Sequence, residues 1–158
     1  MHIEGGGYMT IKWGPELEIG IPVIDSQHAR IVEYINIVDE VQHTHNQEQL
    51  LNVLNELVDY TLSHFAFEES LMEEAGYPFV KAHSKVHQLF IRRVEDFQTR
   101  AVAGEDITTE LLTVLKTWLV NHIKRDDKDY SDLVKVNMHD AERRVKAQKG
   151  PWFKRLFA

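Results

Sequence analysis

Five histidines and one glutamate occupy positions where the apolar pattern of the chain calls for core side chains. They are His28, His64, Glu68, His83, His87 and His122. A single buried histidine is more often a hydrogen-bonded structural residue than a ligand. However, burying each such group without a partner costs roughly several kcal/mol, so six polar groups that can meet in space predict a metal site.

Two pairs among these residues have the spacing of one helical turn. Glu68 follows His64 by four residues, and His87 follows His83 by four. Side chains four residues apart lie one above the other on the same face of a helix. Each pair can therefore grip a metal ion from one helix, as in other carboxylate-histidine bundles.

The seventh ligand of such a site is less clear from spacing. Asp127 follows His122 by five residues, about 140° further round an ideal helix, whereas Asp126 follows it by four. Spacing alone slightly favours Asp126. For Asp127 to reach the same centre, the helix must end, bulge or loosen between His122 and Asp127. The other histidines, at positions 2, 43, 45 and 139, fall outside the apolar seams and are expected to be solvated.

Four predicted helices must position these residues. The apolar periodicity and the turn residues place them at about 25–43, 48–75, 79–104 and from 107 onward, with Asp25 and Ser26 as caps of the first. Short connections predict an all-α fold, an up-down-up-down antiparallel four-helix bundle. The candidate ligands fall early, late, early and late in successive helices, which brings all of them to the same end of the bundle. An irregular N-terminal arm with Pro15, Gly20 and Pro22 precedes the first helix.

Composition excludes several classes of function. The 158 residues include no cysteine, so disulfides, thiolate metal sites and cysteine nucleophiles are excluded. Residues 135–158 hold seven Lys or Arg against two acidic residues, a net charge of +5, so the other 134 residues must carry −12 to give the total of −7. An acidic body argues against nucleic acid as a partner. Because no secretory signal and no apolar run of membrane-spanning length is found, we expect a cytoplasmic protein.

The chain divides into three predicted segments. Residues 1–12 are a leader, residues 13–135 form the bundle, and residues 136–158 form a basic C-terminal extension. The extension is expected to be a solvated tail or a short helix folded back on the bundle. The alternative is a docking element that contacts a protein or an acidic membrane surface. Its anchors would be Trp152, Phe153, Leu156 and Phe157.

The ligand types indicate which metal chemistry the site supports. Imidazole and carboxylate without thiolate suit iron, manganese or zinc, and seven ligands are too many for one tetrahedral zinc. Five imidazoles, two bridging carboxylates and a bridging oxygen fill all but one position of two six-coordinate ions, and the open position suits a small diatomic ligand. Ferritin-like diiron sites use four glutamates and two histidines. A nitrogen-rich, anion-poor site should host highly oxidised iron less well, which favours binding oxygen over activating it.

The ligand motifs together resemble the bacteriohemerythrins of the hemerythrin family, over about residues 13–130. The motifs are Ile24-Asp25-Ser26-Gln27-His28, His64-Phe65-x2-Glu68-Glu69, His83-x3-His87, and Trp118-Leu119-Val120-Asn121-His122-Ile123 followed by Asp127-x2-Tyr130. One short motif would be a weak signal, but all of them in this order and spacing are highly specific. Members that consist of the bundle alone usually stop soon after the position of Tyr130, so the basic extension is a departure from them.

The resemblance implies a site, a cofactor and a function. The cofactor is two iron ions with an oxo or hydroxo bridge, and the ligand is dioxygen. The resemblance implies that one iron is bound by His83, His87 and His122. It implies that the other iron, which binds dioxygen, is bound by His28 and His64. Glu68 and Asp127 are implied as the bridging ligands. An apolar oxygen pocket is implied for Trp118, Leu119 and Ile123, although core packing alone would also explain these three residues.

The expected function is reversible oxygen binding for storage, transport or delivery, without enzymatic activity. Two alternatives remain open at this point. One is an oxygen, redox or nitric oxide sensor that acts through a partner. The other is a diiron oxidase on the same bundle, which the nitrogen-rich ligand set disfavours.

Overall fold

Four long helical segments make up the computed structural model, which describes the backbone of residues 11–157 and the side chains of residues 11–147. Most of the predicted leader therefore lies outside the described residues. The first three segments are α1 (Pro22–Thr44), α2 (Gln47–Glu74) and α3 (Val80–Val102). The fourth consists of α4 (Thr108–Asn121), a π-helical segment (His122–Asp127) and α5 (Lys128–Phe157). The predicted all-α, up-down-up-down antiparallel four-helix bundle is confirmed.

Local chemistry explains where the helices begin and end. The Asn46 side chain accepts a hydrogen bond from the backbone N–H of Gln49 (3.0 Å) and caps α2. The preceding helix closes at His45, whose φ of 54° is left-handed. The turn after α2 uses Gly76 at φ 72°, a conformation that glycine adopts without the clash of a Cβ atom. Tight turns of this kind keep neighbouring helices antiparallel.

The predicted start of the first helix is wrong by three residues. Helix α1 begins at Pro22, which suits the first helical position because its missing N–H would be unpaired there. The Asp25 carboxylate does not cap the helix. It instead accepts hydrogen bonds from the backbone N–H groups of Ile19 (2.8 Å) and Gly20 (3.1 Å). Asp25 thereby ties the N-terminal arm to the end of the bundle.

The arm covers that end with apolar side chains. Leu17, Ile19 and Ile21 are each at most 4% exposed, and a short 3-10 helix at Pro15–Leu17 turns the chain. At its start, the backbone of Ile11 exchanges two hydrogen bonds (3.1 and 3.0 Å) with the side-chain amide of Asn36. The irregular arm predicted from the sequence is therefore ordered and packed.

The core runs the length of the bundle along the predicted seams. Its fully buried members include Ile24, Ile31, Ile35, Val38, Leu54, Leu57, Val94, Phe97, Leu111 and Leu115. Helix α1 packs against α2 and α4, and α2 packs against α3. Burial of each such side chain contributes about 1.5–3 kcal/mol before entropy is counted, so the core supports a rigid frame around the polar end.

The fourth segment continues beyond that end as α5. Val134 is fully buried and Met138 packs partly against the core, but residues 142–147 are exposed. Of the two forms expected for the extension, residues 142–147 agree with a solvated tail, since they are exposed and not folded back on the bundle. The predicted anchors Trp152, Phe153, Leu156 and Phe157 lie outside the described side chains. No helix among the described residues is long and apolar enough to cross a membrane.

Candidate metal centre

The structure brings all seven predicted ligand residues into one buried cluster. They are His28, His64, Glu68, His83, His87, His122 and Asp127, and each is at most 5% exposed. Two groups of potential metal ligands overlap at Glu68, one with three histidines and Asp127, the other with two histidines. The candidate ligands therefore meet at one end of the bundle, as the sequence predicts, because antiparallel packing brings the starts of α1 and α3 beside the ends of α2 and α4.

One oxygen of each carboxylate faces the three-histidine group. Glu68 Oε1 lies 2.9 Å from His83 Nε2, 3.1 Å from His87 Nε2 and 3.9 Å from His122 Nε2. Asp127 Oδ1 lies 3.0 Å from both His83 Nε2 and His122 Nε2. Three imidazole nitrogens and two carboxylate oxygens thus surround a common point.

The other oxygen of each carboxylate faces the two-histidine group. Glu68 Oε2 lies 3.2 Å from His64 Nε2 and 3.8 Å from His28 Nε2. Asp127 Oδ2 lies 3.0 Å from His28 Nε2. Both carboxylates therefore span the two histidine groups, one oxygen to each, which is the geometry of a bridging carboxylate.

The π-helical segment decides between the two aspartates. Its i→i+5 hydrogen bonding inserts one residue into the turn, so residues five apart come to the same side. Asp127 is accordingly fully buried beside His122 in the cluster. Asp126, which spacing alone slightly favoured, faces outward, with its side chain 40% exposed. The bulge needed for Asp127 to join the cluster is present.

Residues outside the cluster orient the imidazoles through the opposite ring nitrogen. Gln27 Oε1 lies 2.6 Å from His64 Nδ1, and Asp126 Oδ2 lies 2.9 Å from His122 Nδ1. Such partners fix the ring tautomer and leave Nε2 free to bind a metal. Neither role is among those predicted from the sequence. The only signal in the sequence is position, since Gln27 directly precedes His28 and Asp126 lies one helical turn after His122.

Aromatic rings pack against the three-histidine group. Phe65 stacks on His87, with ring centroids 3.8 Å apart and planes 5° from parallel, and Trp118 stacks on His122 at 4.3 Å and 16°. Of the predicted pocket residues, Leu119 and Ile123 are each 1% exposed. Trp118 is partly exposed and lies against the three-histidine group. These rings pack against the imidazoles and restrict their orientation.

The charges in the cluster shift the pKa values in opposite directions. Burial lowers the pKa of His28 and His83, but the adjacent Asp127 and Glu68 carboxylates outweigh it and raise both values to about 9. Burial and the charge of Glu68 raise the pKa of Asp127, but His122 and His28 outweigh them and hold it at about 2. The carboxylates are therefore ionised at neutral pH, and protons compete with a metal cation for the imidazole nitrogens.

Several buried polar atoms in and beside the cluster have no hydrogen-bond partner. They are both ring nitrogens of His28, Nε2 of His64, Nδ1 of His87, Oε2 of Glu68, both oxygens of Asp127 and the hydroxyl of Tyr130. Several of these atoms lie at ion-pair distance from one another but without the alignment of a hydrogen bond, and native proteins rarely leave so many buried polar groups without one. Metal cations would satisfy most of these atoms, and the nitrogen and oxygen donors suit iron. The residues present therefore fit a two-metal centre.

A family comparison agrees with this site. The family model "Hemerythrin HHE cation binding domain" matches residues 19–134, which include all seven cluster residues. The chain belongs to the hemerythrin family.

Hemerythrin relatives cover nearly the whole chain. The bacteriohemerythrin of Stenotrophomonas maltophilia (strain R551-3) is 50% identical over 145 residues, 92% of this chain and 94% of the relative. That of Pseudomonas aeruginosa (strain LESB58) is 49% identical with the same coverage. A crystal structure of wild-type hemerythrin matches with a TM-score of 0.69 and 27% identity, covering 85% of this chain and 97% of its own.

The two bacteriohemerythrin alignments also reach the basic extension. With 145 of 158 residues aligned, at most 13 are left out, so residues 136–145 are included. The extension is therefore shared with these hemerythrin relatives at least over residues 136–145, although it lies beyond the part that the family model matches.

Proposed function

We propose that the chain binds dioxygen reversibly at a non-heme diiron centre with an oxo or hydroxo bridge. The proposed iron ligands are His28, His64, Glu68, His83, His87, His122 and Asp127. The single observation that carries the proposal is the division of both carboxylates between the two histidine groups, because one metal ion would meet only one oxygen of each carboxylate and would leave the second histidine group without a cation. Membership of the hemerythrin family supports iron and oxygen as metal and ligand.

The unequal division of the histidines supports an open position at one metal. His83, His87 and His122 serve one ion, whereas His28 and His64 serve the other, which therefore has one protein ligand fewer. A pair of ferrous ions would supply the electrons that hold dioxygen. The residues of the chain position that chemistry and exclude bulk water from it.

The apolar surroundings protect the site from water and protons. We propose that Leu119 and Ile123, each 1% exposed, line the oxygen pocket with Trp118. Trp118 also stacks on His122, so the same side chain shields this proposed iron ligand and the oxygen pocket. A dry pocket disfavours charge separation and thereby slows the oxidation that would end reversible binding.

Binding without turnover is the conclusion favoured by the donor set. The cluster has five imidazoles and two carboxylates, against the four glutamates and two histidines of ferritin-like oxidising sites. Fewer anionic ligands stabilise highly oxidised iron less. We therefore propose storage, transport or delivery of oxygen, and not an enzymatic reaction. Sensing of oxygen, redox state or nitric oxide would use the same site with a partner that reads its state.

An absorption titration tests the proposal. The iron-loaded protein is reduced without oxygen, exposed to air and then returned to an oxygen-free atmosphere, while the charge-transfer bands of an oxo-bridged diiron centre are recorded. We expect bands that appear with air and disappear on its removal, with two irons per chain. Bands that never reverse, or steady oxygen consumption with a reducing substrate, would contradict reversible binding and support the oxidase.

A matched pair of histidine variants serves as the control. His64→Gln removes a proposed ligand from the two-histidine group, and His139→Gln changes an exposed histidine outside the cluster. We expect His64→Gln to lose the reversible bands and His139→Gln to keep them. Equal behaviour of the two variants would refute the assignment of His64.

A further inference from the structure

Helix α5 leaves the bundle at the end that holds the metal centre. Ala141 is half-buried and residues 142–147 are exposed, while the helix continues to Phe157. At 1.5 Å per residue, the part after Ala141 projects by about 24 Å. The bundle therefore presents a free helix at one end, and nothing among the described residues covers it.

The described part of this helix is amphipathic. Met138, Ala141 and Val145 follow the buried Val134 at spacings of four, three and four residues, which places all four on one helix face. Val145 is 46% exposed, so the apolar stripe continues beyond the core. A stripe of this kind stabilises a helix only when it is buried against something.

Cations flank the apolar stripe on both sides. With 100° per residue, Arg144 lies roughly 90° to one side of the stripe, and Lys146 lies roughly 110° to the other side, beyond Glu142 at about 70°. Arg143 lies opposite the stripe, 3.3 Å from Asp140. Arginine and lysine at the edges of an apolar face can extend to lipid headgroups while their stems stay on apolar surface. Further along, the sequence adds Lys149, Lys154 and Arg155 and no acidic residue.

Apolar side chains are also exposed on the bundle near this helix. Val23 (40%) stands at the start of α1, Phe79 (63%) precedes α3, and Leu133 (40%) and Val136 (60%) lie on α5. These elements begin or pass at the same end of the bundle. The helix and the end of the bundle thus offer apolar contacts beside a basic segment.

We propose that α5 beyond Val134 binds the surface of an anionic lipid bilayer, with its apolar stripe in the headgroup region and its cations on acidic lipids. A second copy is disfavoured because pairing two α5 helices would bring together two segments that each carry +5. The acidic body hardly weakens the attraction at the far end of the helix, which lies about 24 Å beyond Ala141, more than the Debye length of about 8 Å at physiological salt. Arg144 and Lys146 lie about 4.5 and 7.5 Å beyond Ala141 and therefore bind lipid within the field of the body. The inference is independent of oxygen binding.

Vesicle sedimentation with the full iron-loaded chain tests this proposal. The vesicles contain phosphatidylcholine alone or with about one third phosphatidylglycerol, a fraction that gives a negative surface potential. We expect binding to the anionic vesicles only, weakening as salt is added. The double variant Arg144→Glu with Lys146→Glu should lower the partition coefficient at least about tenfold, and Val145→Asp should weaken binding as well.

The control changes charge equally at another exposed site. Arg92→Glu with Arg93→Glu, on exposed positions of α3, alters the net charge by the same amount and should leave vesicle binding unchanged. Unaltered helicity and iron absorption in both double variants exclude misfolding. The proposal is overturned by equal binding to neutral vesicles, by no binding, or by equal losses in the two double variants. A doubled mass in light scattering that α5 variants abolish would assign the helix to a second copy and overturn it too.

Discussion

Asp126 and Asp127 are adjacent in sequence, yet they have different roles in the structure. Replacing each of them with asparagine distinguishes the two roles. Asp127 is fully buried and lies 3.0 Å from His28, His83 and His122, so it faces both proposed metals. Asp126 touches only the outer nitrogen of His122, at 2.9 Å. Asn has the shape of Asp without its charge, so each variant tests the carboxylate and not the packing.

The magnitudes follow from these contacts. Loss of an outer partner of a metal-bound histidine weakens metal binding about 10–100-fold, or roughly 1.4–2.8 kcal/mol. Asp126→Asn should therefore retain two irons per chain in excess iron and lose iron at lower chelator concentration than the unmodified protein. Asp127→Asn removes an anionic ligand from both metals, and we expect it to retain at most one iron.

Iron per chain, measured after dialysis against a series of chelator concentrations, distinguishes the two variants. Circular dichroism of the metal-free variants provides the control for folding. If Asp126→Asn lost both irons while Asp127→Asn kept them, the argument that the π-helical segment brings Asp127 into the site would be refuted.

Three further predictions concern stability. In the metal-free protein, burial lowers the pKa of His28 and His83, but the neighbouring carboxylates raise both values from 6.5 to about 9. The stability that this shift contributes is fully present below pH 6.5 and is lost as pH rises through 9, by at most about 3 kcal/mol for each histidine. Thermal melting across that window checks it, and a flat profile would speak against it. Leu119→Ala should cost about 2–5 kcal/mol in urea unfolding and speed the decay of the reversible oxygen bands, whereas an unchanged decay would argue against a shielding role. Gly76→Ala should cost about 1–2 kcal/mol for the left-handed backbone alone, because no atom lies within 4 Å of the added Cβ, and its iron content should stay at two per chain.

The helices, and the meeting of the histidines at one end of the bundle, could be predicted because both depend on local periodicity. A residue every three or four positions reports one helix face, and short turns make neighbours antiparallel. The start of α1 could not be predicted as well. Aspartate is a common N-cap residue, but the Asp25 carboxylate accepts hydrogen bonds from two backbone N–H groups of the arm instead of capping the helix. That competition depends on a segment whose path is set by packing.

The outer partners of the histidines also escaped prediction. Gln27 precedes His28 in sequence, yet it bonds to His64 on another helix. Such a contact joins residues 37 positions apart, and helical periodicity carries no information on pairs across helices. Trp118 differs, because it lies four residues before His122 on the same helical segment, a spacing that places the two rings on one face.

The sequence by itself determined the all-α bundle, the set of buried polar groups and the end of the bundle at which they meet, since these follow from residue type, spacing and turn length. Only the tertiary structure decided that Asp127 joins the cluster and Asp126 does not, that both carboxylates span the two histidine groups, and that α5 projects beyond the bundle. A π turn weakens regular helical hydrogen bonding, so it persists only where the surrounding helices stabilise it. The spacing between two aspartates cannot report that balance, because it is set by the packing of the whole bundle.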